Sequence, residues 1–223
     1  IAERYQSGER TPELVNAYAL GLMEKRKEDE GFKVVDDYFN SLSDAERLNP
    51  KNAFLFTRYT VKLDDPKVTF MVEHRNEFTG SAKEAILQRI DRLYNSELTT
   101  YFSGYKWAEK VYQEEEYQAL KKKLQELGLV EKNNYEPMFR MIEARLVSDD
   151  STFLELCKKE YNNLSESGKN ILMMNITRLI PGKDPELLRG ISEFVRGQLA
   201  TASPIVITLS GRLLESVEAG FKK

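Results

Sequence analysis

Five of the chain's seven prolines stand directly behind a residue that caps helices: Thr11-Pro12, Asn49-Pro50, Asp65-Pro66, Asp184-Pro185 and Ser203-Pro204. A proline at the first helical position gives up only an amide that would be unpaired there anyway. The hydroxyl, amide or carboxylate before it accepts a second orphan amide. Each pair therefore reads as a helix start, and each is followed by apolar residues recurring at three and four. Ser81-Ala82-Lys83-Glu84 adds a sixth start, a capping box in which serine and glutamate satisfy each other's backbone amides.

Between the starts the apolar stripes are helical. Leu14, Tyr18 and Leu22 share a face, as do Phe32, Val35, Phe39 and Leu42, and then Ile86, Ile90, Leu93, Leu98 and Tyr101. Tyr117, Leu120, Leu124 and Leu127 close on Gly128, which accepts the left-handed conformation that ends helices. Phe153, Leu156, Cys157 and Leu164 follow, then Leu172, Ile176, Leu179 and Ile180, then Leu188, Ile191 and Val195, then Val206, Leu209, Leu213 and Val217. The pattern predicts about eleven helices and no clear strand. Two stretches are ambiguous: Ala53 to Leu63, where Phe54, Phe56, Tyr59 and Val61 also fit strand alternation, and the β-branched stretch Ser203 to Ser210. Both are assigned to helices, because a lone strand in a helical chain leaves its amides unpaired.

The starts at Pro12, Pro50 and Ala82 lie about 30 to 40 residues apart, the dimension of a helix, a turn and a second helix. The expected fold class is therefore all-α, an irregular array of helical hairpins forming a tetratricopeptide-like right-handed superhelix or a bundle. Small residues from Ala17 to Gly21 let paired helices approach, but the full tetratricopeptide spacing does not recur. Residues 1–223 are expected to form a single helical domain, with candidate subdivisions near 103–107, where Gly104 interrupts, or 131–137, where Asn133-Asn134 breaks the pattern.

Charge removes several function classes. Lys and Arg number 33 against 36 Asp and Glu, a balance of 33 − 36 = −3, and the basic residues are scattered. No stripe exists to release counterions from a nucleic-acid backbone, so nucleic acid is not an expected partner. No apolar run approaches the roughly 18 residues of a membrane span, so the chain is expected not to cross a bilayer. It opens on Ile1, which reads as an excised piece or a mature product.

Chemistry-bearing residues are sparse. His74 is the one histidine, which excludes a multi-histidine metal site; it falls on the polar side of its helix, as a solvated or capping residue. Cys157 lies on the apolar stripe with Phe153, where a thiol behaves as a small hydrophobe, although Lys158 and Lys159 would activate it if it were exposed. There is no Cys-x-x-Cys pair and no glycine-rich phosphate loop, so no cofactor and no catalytic or metal residue is assigned. Asp36-Asp37, Asp64-Asp65 and Asp149-Asp150 are expected near helix ends, where carboxylates favour the dipole. The run Glu114 to Glu116 with Lys121 to Lys123 reads as a solvated helix face. Around Gly104 the aromatics Tyr101, Phe102, Tyr105, Trp107 and Tyr112 cluster. Tyr101, Tyr105 and Trp107 are the candidate partner-binding anchors, each with an apolar body and a polar tip; the alternative is that the cluster packs a corner between helices.

The run Arg4-Tyr5-Gln6-Ser7-Gly8-Glu9-Arg10-Thr11-Pro12-Glu13-Leu14, continuing through Tyr18, resembles the start of the helical region that follows the thioredoxin-fold domain in secreted bacterial thioredoxin-family proteins. The likeness extends through Tyr38-Phe39-Asn40-Ser41-Leu42-Ser43, Leu48-Asn49-Pro50 and Asp65-Pro66 to Phe70-Met71-Val72-Glu73-His74-Arg75-Asn76-Glu77-Phe78, about the first third of the chain. It implies a periplasmic or cell-envelope location and an upstream domain whose cysteines carry out thiol–disulfide exchange. Those cysteines are not in this chain, so no catalytic residue carries over. The expected role is a non-catalytic accessory module that binds a partner polypeptide or the upstream thioredoxin-like domain. The rival reading is one part of a thiol–disulfide oxidoreductase whose catalytic cysteines lie upstream.

Overall fold

The structure, a computed structural model, describes residues 1–104, 114–147, 149–179 and 184–199. Among these the chain is helical, with no strand. In order come α1 (Ala2–Gln6), α2 (Pro12–Met23), α3 (Glu28–Ser41), α4 (Asp44–Arg47), α5 (Pro50–Tyr59), α6 (Pro66–Glu73), α7 (Gly80–Phe102), α8 (Glu114–Glu126), α9 (Leu129–Asn133), α10 (Glu136–Val147), α11 (Asp150–Glu160), a 3-10 turn (Tyr161–Asn163), α12 (Glu166–Leu179) and α13 (Pro185–Gln198). The excess over the expected eleven lies in one-turn helices such as α1, α4 and α9, too short to show a period. Two compact units divide at Tyr94/Asn95, inside α7 and upstream of both expected breaks.

Proline and cap set four helix starts as the sequence predicts. Thr11 Oγ1 accepts from the Leu14 amide at 3.3 Å, Asn49 Oδ1 from Lys51 at 3.0 Å, Asp65 Oδ1 from Lys67 at 2.9 Å and Asp184 Oδ1 from Glu186 at 3.1 Å. The fifth, Ser203-Pro204, lies outside the described residues, as do the stretch Ser203 to Ser210 and the Val206 stripe. Asp149 caps α11, accepting from Thr152 at 2.8 Å, and this bond holds its carboxyl below the usual aspartate value. Two expectations need correction. Ser81 does not cap α7: the helix already includes Gly80, and the Thr79 carbonyl accepts from the Lys83 amide. Asp36 and Asp37 sit inside α3 rather than at its end. The capping box occurs instead at Ser43 and Glu46, where the Ser43 amide donates to Glu46 Oε2 at 2.8 Å and Ser43 Oγ accepts from the Glu46 amide at 3.4 Å. The ambiguous stretch from Ala53 is helical through Tyr59 and becomes extended at Thr60.

In the unit Ile1–Tyr94, α2 and α3 form a hairpin with nearly touching backbones. A Cβ on Gly31 would lie 2.9 Å from the Ala19 carbonyl oxygen, so only glycine fits there. Across α3 and α5, Phe32 meets Tyr59 at 6.0 Å, Tyr38 donates to Asn52 Oδ1 at 3.0 Å and Phe39 meets Phe56 at 5.0 Å. The start of α3 meets the end of α5 at Phe32–Tyr59, and residues near the end of α3 meet positions earlier in α5, so the two are antiparallel. Helices α3 and α6 are parallel: Asp36 pairs with Lys67, and Phe39 meets Phe70 at 5.9 Å. Lys67 is only 3% exposed, and its ammonium is shared between Asp36 and Asp65, the latter at 3.0 Å. A buried cation persists only with such partners.

The unit Asn95–Lys223 shows the same alternation. Arg140 meets Glu160 at 2.9 Å and Arg145 meets Asp150 at 3.6 Å, so α10 and α11 are antiparallel. Leu154 lies against Gly190, and beyond the end of α11 Tyr161 meets Phe194 edge-on at 5.6 Å, so α11 and α13 are parallel. The expected helix end at Gly128 is present, with φ of 67°, and Asn134, with φ of 51°, ends α9.

Candidate functional site

The side chains best placed to meet a ligand lie between α2 and α5. Glu13 and Asn16 are one turn apart on α2; Lys51, Phe54 and Arg58 fall on one stripe of α5 at helical spacing. Lys51 Nζ meets Glu13 Oε1 at 2.6 Å, and Arg58 Nη1 donates to Asn16 Oδ1 at 3.0 Å. The contacts advance along both helices in the same sense, so α2 and α5 are parallel. Tyr59 turns inward from the same turn and donates to Asn16 Oδ1 at 3.1 Å; burial pushes its phenol pKa up. The result is an open cleft of about 500 Å³, within the range of ligand pockets, whose lining also includes Pro12, Leu55 and Thr57.

Phe54 lines this cleft and is 44% exposed. Leu20, one turn beyond Asn16 on α2, and Val61, in the extended segment after α5, are exposed as well but do not line the cleft. Electrostatically the two ends differ. Lys51 and Glu13 neutralise each other, whereas Arg58 is bonded to a neutral amide and, among the described residues, to no carboxylate. The cleft thus presents a guanidinium fork, a group enriched at protein-binding hot spots, one helical turn from an exposed aromatic.

The second unit holds a smaller cleft of about 290 Å³ between α11 and α13, with Glu155, Lys158, Asp184, Glu186, Arg189 and Glu193 around it. Its charges largely satisfy one another: Lys158 meets Glu155 at 2.6 Å and Arg189 meets Glu186 at 3.5 Å, while Asp184 caps α13.

Of the anchors expected from the sequence, Tyr101 is buried against Tyr117 at 5.7 Å, and its hydroxyl donates to Glu116 at 3.4 Å, so its ring serves packing. Tyr105 and Trp107 lie outside the described residues. His74 is the C-cap of α6, stacked on Phe70 at 4.3 Å with Nδ1 2.7 Å from Glu77 Oε1. Cys157 is fully buried, and desolvation pushes its thiol up to about 12, so the thiolate that redox chemistry needs is suppressed. No group of three or more metal-ligating side chains occurs among the described residues, and no helix there is long and apolar enough to cross a membrane.

The cleft residues were not singled out from the sequence. Phe54 was visible only as part of an ambiguous apolar run; its spacing from Lys51 at i−3 and Arg58 at i+4, which puts an aromatic and two cations on one helical stripe, was the available signal. Compared with protein-family models, curated proteins and solved structures, the chain matches none.

Proposed function

We propose that this chain is a non-catalytic helical interaction module whose helices present a binding surface to a partner polypeptide. The observation that carries the reading is the α2–α5 cleft, where exposed Phe54 stands between Lys51 and Arg58. Arg58 beside it is bonded to a neutral amide and, among the described residues, to no carboxylate, and arginine is one of the residue types enriched at partner-binding hot spots.

The finer architecture we propose is an irregular, tetratricopeptide-like array of hairpins. Two features support it. Parallel α2 and α5 alternate with parallel α3 and α6, and the hairpin starts at Pro12 and Pro50 are 50 − 12 = 38 residues apart. In the second unit α10–α11 is followed by α12–α13, with starts at Glu136 and Glu166 spaced 166 − 136 = 30 residues. The resemblance of the first third to the helical region of secreted thioredoxin-family proteins extends the proposal to an envelope location, with the neighbouring thioredoxin-like domain as an alternative occupant. On that view any redox step belongs to cysteines outside this chain, because Cys157 is enclosed.

Two experiments test this. Panning a library of random short peptides on the full chain should enrich binders of micromolar affinity, the range of a modest interface; a library that enriches nothing would sink the interaction reading. Reading the coding sequence for ~100–200 residues upstream of Ile1, one domain's length, tests the family context. A leader and a thioredoxin-like stretch with Cys-x-x-Cys would support it, and a start codon directly before Ile1 would remove it.

A further inference from the structure

We infer that the α2–α5 cleft takes an acidic peptide segment, seating a carboxylate on Arg58 and an apolar side chain on Phe54. The inference rests on the interaction reading and adds to it the site and the chemistry of the partner.

Charge chooses the occupant. The cleft carries Lys51 and Arg58 against Glu13, a local balance of 2 − 1 = +1 within a chain of net −3. Because Lys51 is matched to Glu13 at 2.6 Å, the uncompensated charge sits on Arg58. Arg58 spends one N–H on the Asn16 carbonyl oxygen, which holds the guanidinium over the cleft and leaves other donors for an incoming oxygen pair. A carboxylate is the planar, bidentate match to that fork. Phe54 stands one helical turn away on the same stripe, so a residue near the carboxylate in a peptide covers it. Pro12 and Leu55 add apolar lining beside it. A simple anion would satisfy Arg58 and leave this apolar surface in water, so a peptide with both elements fits better than either alone.

The test uses the intact chain and the peptides selected on it, read by fluorescence anisotropy. The expected result is enrichment of sequences that pair Asp or Glu with a large apolar residue. Arg58→Gln and Phe54→Ser should each weaken their binding on the order of tenfold, the size of one charge-assisted hydrogen bond or one buried side chain. Replacing the peptide's acidic residue by its amide should weaken binding to the wild type but not to Arg58→Gln. Both substituted positions are exposed, so circular dichroism should be unchanged; if Phe54→Ser alone lost helix, Arg58→Gln and the amide peptide would still decide. Enriched peptides without acidic residues, or equal binding by the wild type and Arg58→Gln, would overturn the inference while leaving the chain a peptide binder. Failure to enrich any peptide would overturn the broader reading with it.

Discussion

In the first unit the parallel pair α3 and α6 is pinned by a buried lysine between two aspartates, whereas in the second the parallel pair α11 and α13 meets through an absent side chain at Gly190. The two solutions differ in tolerance. A buried charge demands its partners at fixed positions: Asp65 travels with α6, but a slip of α6 along α3 would part Lys67 from Asp36. A Cβ added at Gly190 would meet Leu154 Cδ2 at 3.0 Å, the far end of a flexible side chain. The first unit thus combines directional contacts with the backbone approach at Gly31, and it is also the unit that carries the Phe54 cleft. Rigid spacing between α2, α3 and α5 is what a preorganised cleft needs.

The sharpest way to break this contrast is Lys67→Ala, which leaves largely enclosed Asp65 and half-exposed Asp36 without their cation. A loss of about 3 kcal/mol is expected in the first unit, read by urea titration with hydrogen exchange resolved along the chain. Lys67→Met restores the side-chain volume but not the cation and should recover only a small part, because Asp36 and Asp65 stay unpaired; near-full recovery by Met would show that packing rather than charge is at stake. Next come the two glycines. Gly31→Ala meets the Ala19 carbonyl, backbone that cannot step aside, and should cost ~1–3 kcal/mol. Gly190→Ala should be near neutral, because the helix-propensity gain of about 1 kcal/mol offsets a small shift of Leu154; a large loss there would make the two units alike.

A smaller effect follows from acid. The hydrogen bond from Arg140 holds the Glu160 carboxyl below its ordinary value of 4.5. A lowered carboxyl binds its proton more weakly when folded than when unfolded, so its contribution is complete above about pH 4.5 and is lost as pH falls through the lower folded value. Glu160→Gln should therefore flatten the acid limb of stability in the second unit and leave the first unchanged, as chain-resolved hydrogen exchange at pH 5 and below would show. The smallest effect is expected from Lys51→Ala: its pair with Glu13 is solvent-exposed, and neither unit should change measurably in thermal melting.

The sequence disclosed helix boundaries better than helix neighbours. Caps and prolines are local chemistry, which is why Thr11, Asn49, Asp65 and Asp184 all hold helix starts as expected. The box at Ser43 was written in the same Ser-x-x-Glu form, but α4 is one turn long and offers no apolar period to draw attention to it. Lys67 follows Asp65-Pro66 and looks like an ordinary exposed first-turn lysine; its burial depends on Asp36, 67 − 36 = 31 residues earlier. The cleft was hidden for the same reason. Asn16 and Arg58 are 58 − 16 = 42 residues apart, and nothing local to either points to the other.

Enclosure of the lone thiol has a use of its own. Because Cys157 is buried in the core of the second unit, a maleimide can reach it only when that region opens, and the chain has no other cysteine to confuse the signal. The single sulfur is a stopwatch supplied by the sequence: its modification reports how often α11 parts from its neighbours, and whether a ligand held by the first unit slows that breathing in the second.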